Sequence, residues 1–399
     1  MLEQSRQNDS LLKFYLFTFV AVSIAGLWWM YRDGMVWNDF PTHWRICAYT
    51  LRGIDTYALR GSEDFLPEIG YIYSGFHASP WGCLLQNICF GGFLSFEGAK
   101  IYFLAVNALV LIAASCLLSR KIAAISPGLS VTAFVMSLLS TEFYVSVRGG
   151  NIGGVICAFL VMAWLLCDDH PYISGILIAF AMIKPQVALI VCIAMLLMRK
   201  IKPLVTGAII DISAWGIVSL MTGNGMIELL REFMFMSNPQ GVKFLPFAGI
   251  FTLLIDDFFA SILMSMLAGI IFVVVLFYFL PKNMPEMFKM YPAFMAVTFW
   301  SYSYANDRYV MILPALLCFF LMLRSSGTLR VLWLICGMWC SFALIIWTAM
   351  LYMFMFLNPA LSYEYSAKVC SRTVYELVVI VIGIFICVEL RRIYGEAKL

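Results

Sequence analysis

Tyr172–Met198 reads YISGILIAFAMIKPQVALIVCIAMLLM, an apolar run interrupted in its middle by Lys184 and Pro185. A membrane span takes about 20 apolar residues, so the run is long enough to cross. A lysine at mid-membrane is costly. The run therefore predicts two short helices that meet at a turn near one membrane face, with Lys184 in that turn.

Working outward, clear candidate spans lie at 11–31, 98–118, 126–147, 203–222, 258–280, 330–357 and 374–390, with shorter ones at 151–167, 291–305 and 309–323. Together with the broken run they predict an all-α polytopic bundle of about 12 crossings. The composition agrees: of 399 residues, 63% are hydrophobic and 12% charged, and mean hydropathy is +0.91. Soluble domains carry about 25% charged residues, so this chain has too little polar surface to wrap a water-soluble particle. A bundle of spans behaves as one body, and residues 1–399 are expected to form a single domain. Net charge is +3 with no basic stripe, which argues against nucleic acid as a partner and leaves the lipid bilayer as the surroundings.

Positive residues collect in cytoplasmic loops. With the N-terminus inside, Arg120, Lys121, Arg199, Lys200, Lys202, Lys282, Lys289, Arg324, Arg330, Arg391 and Arg392 all fall inside. Both termini are then cytoplasmic, provided that 79–97 does not cross and forms a re-entrant or interfacial segment. The first apolar run has no small-residue cleavage site and reads as a retained anchor.

The opposite face gathers the long loop 32–78 (with short interfacial helices), the turn Arg148–Asn151, the break at Lys184, the loop 223–248, Asp256 and Asp257, Asn306-Asp307-Arg308 and the loop 358–373. Polar groups at membrane depth are expensive and usually functional. Their convergence on one face marks it as the place of the chemistry.

Asp39, in W-N-D-F-P, follows the first span by eight residues, and a carboxylate at that depth suits a general base. His43 shares its helix face at i,i+4 if the piece is helical. The plain alternative is that Asp39 caps a helix begun by Pro41. Arg45, Arg52, Tyr57 and His77 lie further along the same loop and are candidate substrate contacts, with Asn151, Gln186, Asn306 and Asp307. Lys184, Arg308 and Arg148 are three cations on one face, in that order of promise, for an anionic ligand such as phosphate. Lys184 alone would otherwise snorkel to the interface, and each Arg alone would anchor a helix end. The twelve cysteines show no metal or disulfide framework. Cys47 and Cys83 fall in the first outer stretch, where they are able to pair. Asp168-Asp169-His170 reads as a solvated turn despite its metal-like look, and no metal or other cofactor is required by this inventory.

The pattern resembles the GT-C membrane glycosyltransferases, and within them the polyprenol-phosphate-sugar users of glycosyltransferase family 87. The resemblance rests on Asp39 after the first span, A-Y-T-L-R-G-I-D-T-Y (48–57), R-G-G-N-I-G-G (148–154), S-G-I-L-I-A-F-A-M-I-K-P-Q (174–186) and S-Y-A-N-D-R-Y-V-M-I-L-P (303–314). Gly150 stands where that family has Gln, and His77 where an aromatic-Pro pair is expected. Frequent Cys, Met and Lys, with few runs of Ala or Gly, point to a Gram-negative host and a surface polysaccharide such as O-antigen. The resemblance implies transfer of one sugar, a hexose such as mannose or glucose, from a polyprenyl-phosphate carrier to a lipid-linked or cell-surface glycan. It places the reaction on the extracytoplasmic face of the inner membrane and carries the catalytic role to Asp39.

Two other classes compete. A transporter or flippase places charges nearer the midplane, usually in two repeat-related halves, and no repeat is evident here. A polysaccharide polymerase is expected to carry large Arg-rich outer loops late in the chain, whereas 358–373 is short.

Overall fold

The computed structural model describes residues 2–32, 34–59, 62–72, 78–235, 258–300, 307–357 and 364–395. Among the described residues there are helices and no strands. Helix α1 is Leu2–Tyr31, α2 Phe40–Leu51, α3 Gly82–Leu85, α4 Asn87–Phe90, α5 Phe96–Ala123 and α6 Pro127–Leu138. Then come α7 Thr141–Gly149, α8 Gly153–Leu166, α9 Pro171–Ala181, α10 Pro185–Leu197, α11 Ile201–Thr222 and α12 Met226–Phe235. The chain continues with α13 Phe258–Phe279, α14 Tyr291–Ala296, α15 Ile312–Arg324, α16 Gly327–Ser341, α17 Ala343–Leu357 and α18 Glu364–Tyr394.

Among the described residues, five stretches are long and apolar enough to cross a membrane: Ser10–Trp28, Phe96–Ala123, Pro127–Gly149, Ile201–Thr222 and Ser371–Tyr394. Helices α8, α9, α10 and α16 are apolar but shorter, with 14, 11, 13 and 15 residues. The outward faces of α1, α11 and α18 present Phe17, Leu220 and Val388, as a lipid-facing surface requires. The run 330–357 divides at Phe342 into α16 and α17. Residues 79–97 hold two single-turn helices, α3 and α4, each four residues long. At 1.5 Å per residue neither spans a bilayer. Cys47 and Cys83 are both buried free thiols.

The broken run behaves as its composition demands. Helix α9 ends at Ala181, Lys184 occupies the N-cap position of α10, and Pro185 fills the first turn, where its missing N–H costs nothing. Helix α9 lies close against α11. A side-chain carbon at Gly175 would come within 2.7 Å of the Pro203 carbonyl, and one at Gly207 within 3.1 Å of the Gly175 carbonyl. Small residues let membrane helices approach in this way.

Helices α8, α9 and α10 run back and forth between two ends. Helix α8, with 14 residues, is about 21 Å long. At its C-terminal end Lys200 pairs with Asp168 (2.7 Å) and Glu286 (3.1 Å), Lys289 pairs with Glu286 (2.6 Å), and Lys121 pairs with Asp169. Asp168, Asp169 and His170 are exposed. Beside the Lys121 ammonium, the Asp169 carboxyl is held below its ordinary range. The N-terminal end of α8 meets α2 and the α9–α10 turn, and there the other polar residues gather.

Candidate active site

The segment before α2 is fastened to the turn between α7 and α8. The backbone N–H groups of Val36 and Trp37 both donate to the Arg148 carbonyl at 3.2 Å, and that of Asp39 donates to the Gly149 carbonyl at 2.9 Å. Phe40 is fully buried and packs against Trp37, Phe90, Phe96 and Phe103. Gly150 permits this contact. It adopts φ +68°, and a side-chain carbon there would lie 2.9 Å from the Phe40 nitrogen. A left-handed turn pressed onto another backbone admits glycine and little else, so a Gln at this position would have nowhere to go.

Asp39 sits at the N-cap position of α2, with Pro41 in the first turn, yet its side chain makes no capping hydrogen bond. Its carboxylate instead accepts from Asn151: Nδ2 donates to Oδ2 at 2.7 Å. The orientation of the Asn151 amide is fixed, because its Oδ1 accepts from the Gly153 N–H at 2.8 Å. Ser146 completes the turn, donating its hydroxyl to the Asn151 carbonyl (2.7 Å) and accepting from the Gly154 N–H (2.9 Å). Asn151 is 8% exposed, while Asp39 is partly exposed.

One turn along α2, His43 is buried. Its Nδ1 is 3.1 Å from Gln86 Oε1, and its ring stacks on Phe90 at 4.4 Å. Burial pushes the imidazole down to about 4, against the opposing pull of the Asp39 carboxylate and the Gln86 hydrogen bond. Lys184 also acts on it, favouring the neutral ring. Asp39, His43 and Lys184 thus share one neighbourhood.

Lys184 has an ionic partner, Asp307, at 2.6 Å, with Asp307 fully buried. The backbone carbonyl of Asp307 accepts from the Cys157 thiol at 3.1 Å, tying this pair to α8. The α9–α10 turn is covered from the other side. Trp81 Nε1 donates to the Met182 carbonyl (2.7 Å), and Ser79 Oγ donates to the Ile183 carbonyl (3.2 Å).

The three cations do not all converge. Arg308 follows Asp307, but its guanidinium lies over the Tyr375 ring at 4.5 Å. It lines a small cavity with Ser140, Glu142, Tyr309 and Ser341, roomy enough for about one water. Arg148 Nε donates to the Gly34 carbonyl at 3.3 Å, on the outer side of the Asp39 segment.

The remaining loop residues brace the loop. Arg45 donates to the carbonyls of Ile69 and Tyr71, Arg52 pairs with Glu68 at 3.1 Å, and the Tyr57 hydroxyl donates to the Ala78 carbonyl at 2.6 Å. Gln186 lies in the first turn of α10, its carbonyl accepting from Trp300 Nε1 at 2.9 Å. His77, Asn306, Asp256, Asp257 and 358–363 lie outside the described residues. Ser146 and Gln86 escaped sequence reasoning. The signal for Gln86 was present, a pair of amides, Gln86-Asn87, within the otherwise apolar stretch Cys83–Phe90.

A carboxylate, a histidine and an ion-paired lysine thus lie together at one end of the short helices of this helical membrane protein. Residues 83–240 match the model of glycosyltransferase family 87, a family of the GT-C class. The match and the apolar helices together mark a membrane glycosyltransferase, which implies a sugar donor, an acceptor and a bilayer. The matched stretch contains Arg148, Asn151, Lys184 and Gln186 and excludes Asp39 and Asp307. No curated protein and no solved structure matches the chain.

Proposed function

We propose that this protein moves a single hexose, such as mannose or glucose, from a polyprenyl-phosphate carrier to a lipid-linked or cell-surface glycan such as O-antigen. The reaction takes place on the extracytoplasmic face of the inner membrane and inverts the anomeric centre. Asp39 is the general base. It takes the proton of the acceptor hydroxyl as that oxygen attacks the anomeric carbon. The bond from that carbon to the phosphate oxygen breaks, and the polyprenyl phosphate leaves with the electron pair. Fixed cations stabilise the charge that grows there, Lys184 first, with Arg308 and Arg148 as further candidates. The chain acts as one catalytic unit, with the shorter helices pairing to complete about 12 crossings.

The observation that carries this proposal is the behaviour of Asp39. It occupies a cap position without capping, and its carboxylate is held by Asn151 in a partly exposed setting. A carboxylate serving only the helix would bond to the helix. The face is supported by the separation of the two ends of α8, with the lysine-rich ion-pair network at the far one and positive residues favouring the cytoplasm. The test is Asp39→Asn in purified protein, assayed with polyprenyl-phosphate hexose and a glycolipid acceptor. Loss of a general base costs about 10²–10⁴-fold in rate, with the folded protein retained. Full activity would return Asp39 to a structural role.

A further inference from the structure

Given that Asp39 is the base, the geometry assigns Asn151 as the positioning residue that decides which carboxylate oxygen does the work. Asn151 is bonded at both ends of its side-chain amide. Its Oδ1 faces a backbone N–H, which can only donate, so its Nδ2 is the atom turned to Asp39. That donor holds Oδ2 at 2.7 Å. Oδ1 of Asp39 has no hydrogen-bond partner among the described residues, and the side chain is partly exposed. Oδ1 is therefore the atom left to receive the acceptor proton, while Oδ2 anchors the carboxylate plane.

The anchor is itself anchored. Ser146 clamps the Asn151 backbone, and the Asp39 backbone is tied to Gly149. Residues 36–39 and 146–154 thus form one rigid piece. A carboxylate able to rotate about its χ angles would present either oxygen, or neither, to the acceptor. Effective general-base catalysis requires the accepting atom within hydrogen-bond reach of the proton it takes, and small misplacements are expensive in rate. This role differs from contacting the sugar, for which Asn151 has no polar atom left except the second N–H of its amide.

The experiment compares Asn151→Ala and Asn151→Ser with the parent, and repeats Asn151→Ala in an Asp39→Asn background. Asn151→Ser keeps a side-chain oxygen that accepts from the Gly153 N–H, as serines do in turns, but is too short to donate to Asp39, so it holds the turn if Asn151→Ala weakens it. Single-turnover transfer at excess enzyme keeps low rates measurable. The expected result is a fall in transfer rate of roughly 10- to 100-fold in both single variants, the scale of one lost charge-assisted hydrogen bond. KM for donor and acceptor and the unfolding temperature of Asn151→Ser stay at parental values. In the Asp39→Asn background, Asn151→Ala has no further effect, because its role runs through Asp39. An equal loss in both backgrounds, a rise in KM at unchanged kcat, or parental rates would each overturn the assignment. An active Asp39→Asn protein would instead remove the base on which it rests. An inactive Asp39→Asn with an unimpaired Asn151→Ala would sink this assignment alone.

Discussion

Lys184 Nζ lies 2.6 Å from Oδ1 and 2.8 Å from Oδ2 of Asp307, a residue 123 positions later in the chain. The carboxylate is fully buried and the lysine 12% exposed. Breaking a buried pair by removing one partner costs about 3–5 kcal/mol, since the other charge is left uncompensated. Lys184→Met should therefore lower the unfolding temperature in detergent, and Lys184→Met with Asp307→Leu should recover most of it. Transfer should stay lost in the double variant if Lys184 also serves the carrier phosphate. Recovery of both together would leave the pair a purely structural one.

Sidedness follows from the two ends of α8. Single cysteines in a background depleted of the native ones should react with a membrane-impermeant thiol reagent at Ser62 in intact cells. Cysteines at Lys200, Lys289 and Arg324 should react only after permeabilisation. Labelling of Ser62 and Lys200 from the same side would contradict the proposed orientation.

His43 makes stability depend on pH. Its imidazole titrates near 4 in the folded protein, against an ordinary value of 6.5. The unfolded chain thus binds the extra proton first as pH falls. The stabilisation from keeping the ring neutral is present above about pH 6.5 and is lost progressively towards pH 4. The unfolding temperature should drop across that window, and the drop should be smaller in His43→Gln. Identical profiles for the two proteins would show that other groups dominate.

Gly150 and Gly223 share a left-handed backbone, φ +68° and +77°, in different surroundings. A side-chain carbon at Gly223 meets nothing within 4 Å, whereas one at Gly150 meets Phe40. Gly223→Ala should cost about 1–2 kcal/mol from backbone strain alone. Gly150→Ala should cost more and should also slow transfer, because Phe40 adjoins Asp39. Equal effects on unfolding temperature and no effect on transfer would refute the steric argument.

Much of the helical framework was legible because it is local. The apolar run expected at 203–222 is α11, Ile201–Thr222, and Lys184-Pro185 does separate a pair of short helices. Length and hydropathy carry that information residue by residue. The division of 330–357 was not legible, since no Gly or Pro marks Phe342 and tertiary packing decides it. The candidate site was legible as a list and not as a geometry. Nothing in the sequence says that Lys184 will find Asp307, or that Asn151 will reach back 112 positions to Asp39. Such pairings depend on where whole helices land. Arg308 shows the same gap from the other side. Its neighbour Asp307 turns to Lys184 while it turns to Tyr375, a divergence that adjacency in sequence conceals.

The fastening of Val36, Trp37 and Asp39 to Arg148, Gly149 and Asn151 bears on how hybrids of such enzymes must be cut. The stretch that matches the family begins at Cys83, and it is the obvious cassette to exchange with another protein of that family. Swapping it alone would transplant the cradle and leave the carboxylate behind, set on a foreign turn. Seams placed ahead of Gly34 and beyond Gly154 keep cradle and carboxylate from the same parent. Carboxylate and cradle, distant in sequence, are thus inherited together, and substitutions accepted in one constrain those the other can accept.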